Sequence, residues 1–524
     1  MGKGNRTRLA TQAEIEKKAQ QPAPKQPVGK TVRNVLIGVL VAAFVGVGIF
    51  GLLAQSGALS NMLTAFEVGS QKITAKEYKV YYKTAEMNLL NNYGTMLQMY
   101  YGVDLTKPLE TQAYGEGTWG DYLNEETQRS LTDTYTLYQE ALEQGYAVAD
   151  ENDVRYQGQM GVYRAMAELY DMDLDEYVKT VYGSGVKVAD LQNSAKVTAT
   201  ALNYYNDYIN NIDVSEDEIQ EYYINNSTDF DLVDYRSFTI PYETVTYTAP
   251  AEGETVKEGE PSSQEEADAQ TEQNRAEAQA QADKILARVH SEEDFINEAK
   301  SFDGETYADA DSTLTTGAAL SNATTTNILG WTADIERVKG DTTSLDTSNN
   351  ITVAYFLQRY LPEVPTATVR HLLLNASEPS ESATDEEKAE AQEKLAAAEA
   401  KINEIKDEFL AGEQTEQAFA SLAAKYSQDS GSVADGGLLK DFAEGDMVEE
   451  FNDWCFDASR QPGDVEVVKT SYGYHLIYFI GSGDSDWKAQ SRQQIVDTKY
   501  NEYYATLDSK YPTVVHDYGV SLAY

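Results

Sequence analysis

The run "KTSYGYHLIYF", residues 469–479, sets His475 among apolar and aromatic neighbours. An imidazole is the side chain that can give, take or relay a proton near neutral pH. Inside an apolar strand it must be held by hydrogen-bond partners, used, or both, because an unpartnered buried polar group is costly. The 524-residue chain has only four histidines and a single cysteine, Cys455. The scattered histidines argue against a zinc site, and one cysteine forms no intrachain disulfide and no thiolate cluster. The formal net charge of −45 argues against nucleic acid as a partner, since phosphate binding needs a Lys/Arg surface.

The elements that would position His475 form a repeated pattern. Residues 235–361 and 368–481 each begin with a short β-run, "YRSFTI" and "VRHLLL". Each continues through an acidic linker into a helix. A second helix follows, "EEDFINEAKSF" in one and "TEQAFASLAAKYS" in the other. Each closes on a β-run with an aromatic pair, "ITVAYFLQRY" and "GYHLIYFIG". Aligning these runs sets Ser237 opposite His371 and Thr352 opposite His475, so the first copy lacks both histidines.

Between the second helix and last strand of the second copy lie "YSQD", a Gly436-Gly437 turn and "DFAEGDMVEEF". Together with "VRHLLL" and "KTSYGYHLIYF", these pieces resemble the parvulin family of peptidyl-prolyl isomerases. The resemblance implies a paired His371 and His475, with Asp429 at a position that is Cys or Asp in the family. It implies a hydroxyl partner at Tyr472 and a proline slot lined by Leu439, Phe442, Met447, Phe451 and Phe456. It implies no metal and no cofactor. The family's Gly-Gly-Asp-Leu-Gly reads Gly436, Gly437, Leu438, Leu439, Lys440 here, which puts the loop geometry in question. Cys455 is expected to be a packing residue, since free cysteine is among the most buried residue types.

Residues 72–229 read as helices. "TAKE" (74–77) and "SEDE" (215–218) are capping-box sequences ahead of apolar residues at helical spacing. Tyr78, Tyr81, Tyr82, Tyr93, Tyr100, Tyr101, Tyr204, Tyr205 and Tyr208 crowd the region. They either fill helix–helix contacts or line an adaptable groove. Residues 248–282 are acidic and poor in large apolar residues; their first part reads as a linker and the last part enters the helix "AQADKILARV".

Residues 35–54, "VLIGVLVAAFVGVGIFGLLA", are long enough to cross a bilayer, at about 1.5 Å per residue. The alternative is a cleaved signal peptide, whose apolar region is usually shorter, about 7–15 residues. Residues 1–33 carry a net +6, leaving −51 on the remainder, so the positive-inside rule keeps the N-terminus in the cytoplasm.

The whole order, with its membrane anchor, resembles the surface foldases of the PrsA type and the periplasmic foldases of the SurA type. The expected architecture is α+β and multidomain. It comprises a basic tail (1–34), a transmembrane helix (35–54), a helical chaperone domain (60–234), a degenerate parvulin-like unit (235–361), a parvulin unit (365–482) and a C-terminal helix (483–524) that completes the helical domain. Each parvulin-like unit is an antiparallel sheet with surrounding helices. The resemblance implies unfolded or newly exported polypeptides with X–Pro bonds as partners and permits a homodimer. It places the large part outside the cell membrane of a Gram-positive type bacterium. A holdase without catalysis is the alternative.

Overall fold

A computed structural model describes residues 58–523 except 184, 250–259, 325–326, 348 and 381. The expected basic tail and transmembrane segment lie outside these residues. Among the described residues no helix is long and apolar enough to cross a membrane. The architecture is a mixed α/β one with several antiparallel sheets and many helices.

The chain divides into two compact units. One holds residues up to 131 together with 175–190 and 513–524. Its centre is helix α1 (Ala75–Tyr101), N-capped by Thr74 as "TAKE" predicts. Tyr78 and Tyr82 are fully buried, as are Tyr177 and Tyr182 of the helix Leu174–Tyr182. The all-helical expectation needs correction here. Thr64–Val68 pairs antiparallel with both Gln71–Thr74 and Thr513–Val515. Strands of three to five residues have too little alternation to register as a period-2 pattern.

The other unit holds residues 132–174 and 191–512. It receives the last part of α2 (Trp119–Glu143), then α3 (Val154–Leu169), most of α4 (Val188–Asn210) and α5 (Glu216–Asn225). Ser215 and Glu218 form the reciprocal capping box at the start of α5. The first repeat follows as β1 (Leu232–Pro241), α6 (Gln264–Leu286), α7 (Glu292–Phe302), β2 (Leu314–Ala319), α8 (Ile328–Thr332), β3 (Thr342–Asp346) and β4 (Asn350–Tyr360). The second repeat is β5 (Pro365–Asn375), α9 (Asp385–Ala411), α10 (Glu416–Tyr426), β6 (Leu438–Phe442), α11 (Glu449–Phe456), β7 (Val465–Thr470) and β8 (Gly473–Ser485). Helix α12 (Asp486–Asp508) closes the unit.

Both repeats build the same four-stranded antiparallel sheet, β2-β1-β4-β3 and β6-β5-β8-β7. The correspondence reaches side chains. Arg236 reaches Glu292 and the carbonyl of Ala310, as Arg370 reaches Glu416 and the carbonyl of Asp435. Arg337 lies over Trp331 as Arg460 lies over Trp454.

Two expected linkers are shorter than the sequence suggested. Helix α6 begins at Gln264, capped by Ser263, and buries Ala267, Ala278, Ala282 and Ile285. A stripe made of alanine is apolar at the right period but too weak to stand out. The acidic stretch before "AQEKL" ends at a Thr384–Glu387 capping box, so its last residues are the first turn of α9.

Helix α12 packs on α2 and α4 through tyrosines. Tyr204 and Tyr503 hydroxyls meet at 2.5 Å, Tyr208 stacks on Tyr503 at 4.1 Å, and Tyr504 donates to Asp133 at 2.5 Å. Tyr78, Tyr82 and Tyr204 are thus packing residues, whereas Tyr93, Tyr100 and Tyr101 are exposed.

Candidate active site

Strands β5 and β8 lie side by side with His371 opposite Ile477 and Leu373 opposite His475. Side chains alternate faces along a strand, so the two histidines share one face, two residues apart in register. The opposite face sends Leu372, Leu374, Tyr474 and Leu476 into a core with α9 and α10. The histidine face continues into Val369, Ile477 and Phe479, covered by Phe442, Phe451 and Cys455. Both imidazoles are buried, at 4% and 6% exposure.

Asp429 reaches this face from the segment after α10. The segment is tied to the edge of β5: Leu373 N–H donates to Ser427 Oγ at 3.2 Å, and Gln428 N–H to the Leu373 carbonyl at 2.8 Å. The return turn presses equally close. Gly437 has φ +75°, and a Cβ there would fall 1.9 Å from the His371 carbonyl oxygen, so only glycine fits.

The polar atoms form one chain. Asp429 Oδ2 is 2.9 Å from His371 Nε2, His371 Nδ1 is 3.2 Å from His475 Nδ1, and His475 Nε2 is 2.9 Å from Thr470 Oγ1. Ser432 Oγ donates to Asp429 Oδ2 and lies 2.9 Å from His371 Nε2. The hydrogen bond from His371, with that from Ser432, holds the Asp429 carboxyl well below the usual carboxylate range. Burial, reinforced by His371, pushes His475 down to about 4. With Asp429 ionised, one order of single protons along the chain satisfies every contact. Thr470 donates to His475 Nε2, His475 Nδ1–H donates to His371 Nδ1, and His371 Nε2–H donates to Asp429.

The apolar part lies against the same face. Phe451 meets the His371 ring edge-on at 5.7 Å and the His475 ring at 5.3 Å. Phe442 meets Phe456 at 5.7 Å, and Leu439, Met447 and Phe456 are half-buried at the rim of the cluster. All five expected slot residues therefore share one cluster. Cys455 is buried in it, its thiol pushed up to about 12 by burial. An apolar cluster abutting the histidine pair can meet a hydrophobic ring and present hydrogen-bonding groups to an amide, without covalent chemistry.

The PPIC-type PPIASE domain family matches the chain over residues 356–481, the segment that holds all of these groups. This segment is a parvulin domain of the PrsA type. The foldase protein PrsA of Geobacillus kaustophilus is 36% identical over 107 residues, 20% of this chain and 37% of that protein. Foldase protein PrsA 4 of Bacillus cereus is 44% identical over 75 residues, 14% of this chain and 25% of that protein. The chain thus spans well under half the length of these curated relatives. A crystal structure of peptidylprolyl isomerase (PrsA) from Bacillus anthracis matches at 25% identity, covering 26% of this chain and 52% of that one, with a TM-score of 0.17.

Within the parvulin domain one expected partner is misplaced. Tyr472 is 61% exposed, and it meets the chain of hydrogen bonds only through its backbone N–H, which donates to Thr470 Oγ1 at 3.1 Å. The hydroxyl on His475 belongs to Thr470. Thr470 pairs with Gly473 across the β7–β8 turn, so Tyr472 sits in the turn and its ring leaves the sheet. Ser432 was also missed. Its signal was its place three residues after Asp429, within reach of the same carboxylate. The loop with Leu438 and Lys440 still pairs with β5, Leu438 opposite Arg370 and Leu439 opposite Val369.

The first repeat carries the same scaffold without the chemistry. Its register sets Ser237 opposite Ala354 and Thr239 opposite Thr352, matching the register of the second repeat position for position. Where Thr470 bonds His475, Thr347 bonds Thr352 at 2.6 Å. The Trp331–Trp454 correspondence sets Ile328 where the parvulin domain has Phe451.

Proposed function

We propose that the chain is an extracytoplasmic foldase that catalyses cis/trans isomerisation of X–Pro bonds. The observation that carries this reading is the hydrogen-bonded chain Asp429–His371–His475–Thr470 abutting the Leu439, Met447 and Phe451 cluster. Rotation about a peptide bond has a barrier of about 18–20 kcal/mol, and uncatalysed X–Pro exchange takes about 10–100 s. At the barrier the amide is twisted, its conjugation is lost and its nitrogen gains a lone pair. Catalysis requires only that the site bind this state better than the planar one. Phe442, Phe451, Met447, Leu439 and Phe456 grip the proline ring and exclude water. His371 and His475 give the slot a polar wall, and Asp429 orients them through His371 Nε2. No metal or cofactor enters the step.

Its partners are unfolded or newly exported polypeptides. Residues 35–54 would hold the chain in the cell membrane with residues 1–34 in the cytoplasm and the large part outside. The PrsA relatives are named foldases, which supports the same reading. The test is isomerisation of a short X–Pro peptide by the full chain. Wild-type turnover that disappears in a folded His371→Ala, His475→Ala double variant is expected; a rate equal to the uncatalysed one in the wild type would overturn it.

A holdase reading is favoured by a separate observation. Residues 87–101 of α1, "MNLLNNYGTMLQMYY", carry no charge, and Met99 and Tyr100 are 72% and 78% exposed. Flexible methionine and amphipathic tyrosine suit a surface that takes many apolar sequences. Both activities fit in one chain.

A further inference from the structure

Helix α3 lies about two hundred residues before the parvulin segment and outside it, yet it is packed against the turn that carries the site's acid. Two glycines in its interior, Gly158 and Gly161, are one helical turn apart on one face. Each costs the helix about 0.5–1 kcal/mol relative to alanine, so their place needs a reason. A Cβ on Gly158 would lie 2.4 Å from the Val433 carbonyl oxygen and 2.8 Å from Ala434 Cα. A Cβ on Gly161 would lie 2.6 Å from the Ala424 carbonyl oxygen at the end of α10. From the other side, a Cβ on Gly436 would lie 2.8 Å from Val154 Cγ1. Backbone therefore meets backbone along this seam.

The turn in question runs from Asp429 to Gly437. Val433 N–H donates to the Asp429 carbonyl at 3.0 Å and Gly437 N–H to the Ser432 carbonyl at 2.8 Å. Ser432, the residue before Val433, donates to Asp429 Oδ2. The turn is gripped from two directions. Arg370 of β5 donates to the Asp435 carbonyl at 2.6 Å and the Gly436 carbonyl at 3.1 Å. Arg155 of α3 donates from Nε to Asp435 Oδ1 at 3.0 Å. Arg155 is itself held by Asn203 of α4 at 2.9 Å, and Asn203 by Asp153, the N-cap of α3, at 2.7 Å.

We propose that Gly158, Gly161 and Arg155 are positioning residues for the isomerase: α3 is a clamp that sets the 429–437 turn so that Ser432 and His371 hold the Asp429 carboxylate. Any movement of Val433 moves Ser432 with it. The inference rests on the isomerase reading of the same site, and it assigns the helical part of the chain a role in catalysis besides binding polypeptide.

The test uses the full chain with Gly158→Leu, Gly158→Ala and Arg155→Ala. Leucine is a better helix former than glycine, so loss of activity in a folded Gly158→Leu variant cannot come from a weaker α3. Expected for Gly158→Leu is a fall in kcat/KM of about tenfold to a hundredfold, the scale of a roughly 1 Å misplacement. The acid limb of the pH profile should move to higher pH, because a carboxylate that loses donated hydrogen bonds protonates more easily. The His371 Nε2–H proton resonance should shift and exchange faster. Gly158→Ala should show the same changes to a smaller degree.

Arg155→Ala adds no bulk and serves if Gly158→Leu does not fold; about threefold loss with the same direction of pH shift is expected. Folded variants with kcat/KM within about twofold of wild type and an unchanged His371 resonance would overturn the proposal. If the wild type itself does not turn over, the isomerase reading fails, and the His371 resonance of wild type against variants still decides whether α3 positions the acid.

Discussion

His371 and His475 face each other through their Nδ1 atoms at 3.2 Å, and only one proton can lie between them. The ionised Asp429 on the far nitrogen of His371 decides that this proton belongs to His475. Thr470 completes the chain at its other end, on His475 Nε2.

That assignment gives the protein an acid-sensitive centre. The His475 pKa falls from 6.5 to about 4 through burial, so the unfolded chain binds a proton that the folded chain refuses. The stability concerned is present above about pH 6.5 and lost as pH drops towards 4, at most about 3 kcal/mol for this one group. Asp429, held below the usual carboxylate range, adds loss in the same direction at still lower pH. Urea unfolding of the second repeat at pH 7.5, 5.5 and 4.5 should show this fall, and His475→Gln should flatten the upper part of it. A variant with the same pH slope as wild type would place the titration elsewhere.

The apolar slot gives a separable prediction. Phe451 is 2% exposed and touches both histidine rings, so Phe451→Ala should cost about 3–5 kcal/mol of stability as well as activity. Met447 is only half-buried, so Met447→Ala should leave the fold intact and lower kcat/KM chiefly by weakening the grip on proline. Peptides with proline replaced by a smaller residue should lose the difference between wild type and Met447→Ala. Undiminished turnover in folded Met447→Ala would move the slot.

What could be read in advance follows from how each signal is encoded. His475 stood out as a rare residue within an apolar run, whereas His371 and Asp429 were legible only through the resemblance of their motifs to the parvulin family. The duplicated sheet was legible because long strands with aromatic pairs survive divergence. Thr470 and Ser432 were not legible. Hydroxyl residues are common, and the side of a tight turn on which a residue falls decides whether Thr470 or Tyr472 enters the chain. The seam of Gly158 and Gly161 was hidden for the opposite reason, since glycine within a helix reads as weakness until a second backbone is found against it. Strand Thr513–Val515 pairs with Thr64–Val68 across more than four hundred residues, which no local pattern reveals.

The first repeat should contribute no turnover. It keeps the Arg236–Glu292 and Arg337–Trp331 contacts of the scaffold but has Ser237, Thr352 and Ile328 where the parvulin domain has His371, His475 and Phe451. A full-length His371→Ala, His475→Ala variant retains this repeat intact, and its X–Pro isomerisation should equal the uncatalysed rate. Residual turnover abolished by Thr352→Val would instead assign activity to the first repeat.

The exposed stretch of α1 should hold unfolded chains independently of isomerisation. Met96, Met99, Tyr93, Tyr100 and Tyr101 are all exposed within a helical segment without charge, in a protein whose net charge is −45. Burying such a surface against apolar segments of a client is favourable at roughly 25 cal/mol per Å² of apolar area. The surrounding negative charge keeps the free protein soluble. Met99→Glu with Tyr100→Glu adds two charges at exposed positions, so the fold should be retained. The variant should lose most of its ability to slow aggregation of a denatured test protein, while kcat/KM on a short X–Pro peptide stays at the wild-type value. Undiminished protection by the folded double variant would place polypeptide binding on another surface, and a matching fall in peptide turnover would show that the stretch serves the isomerase site instead.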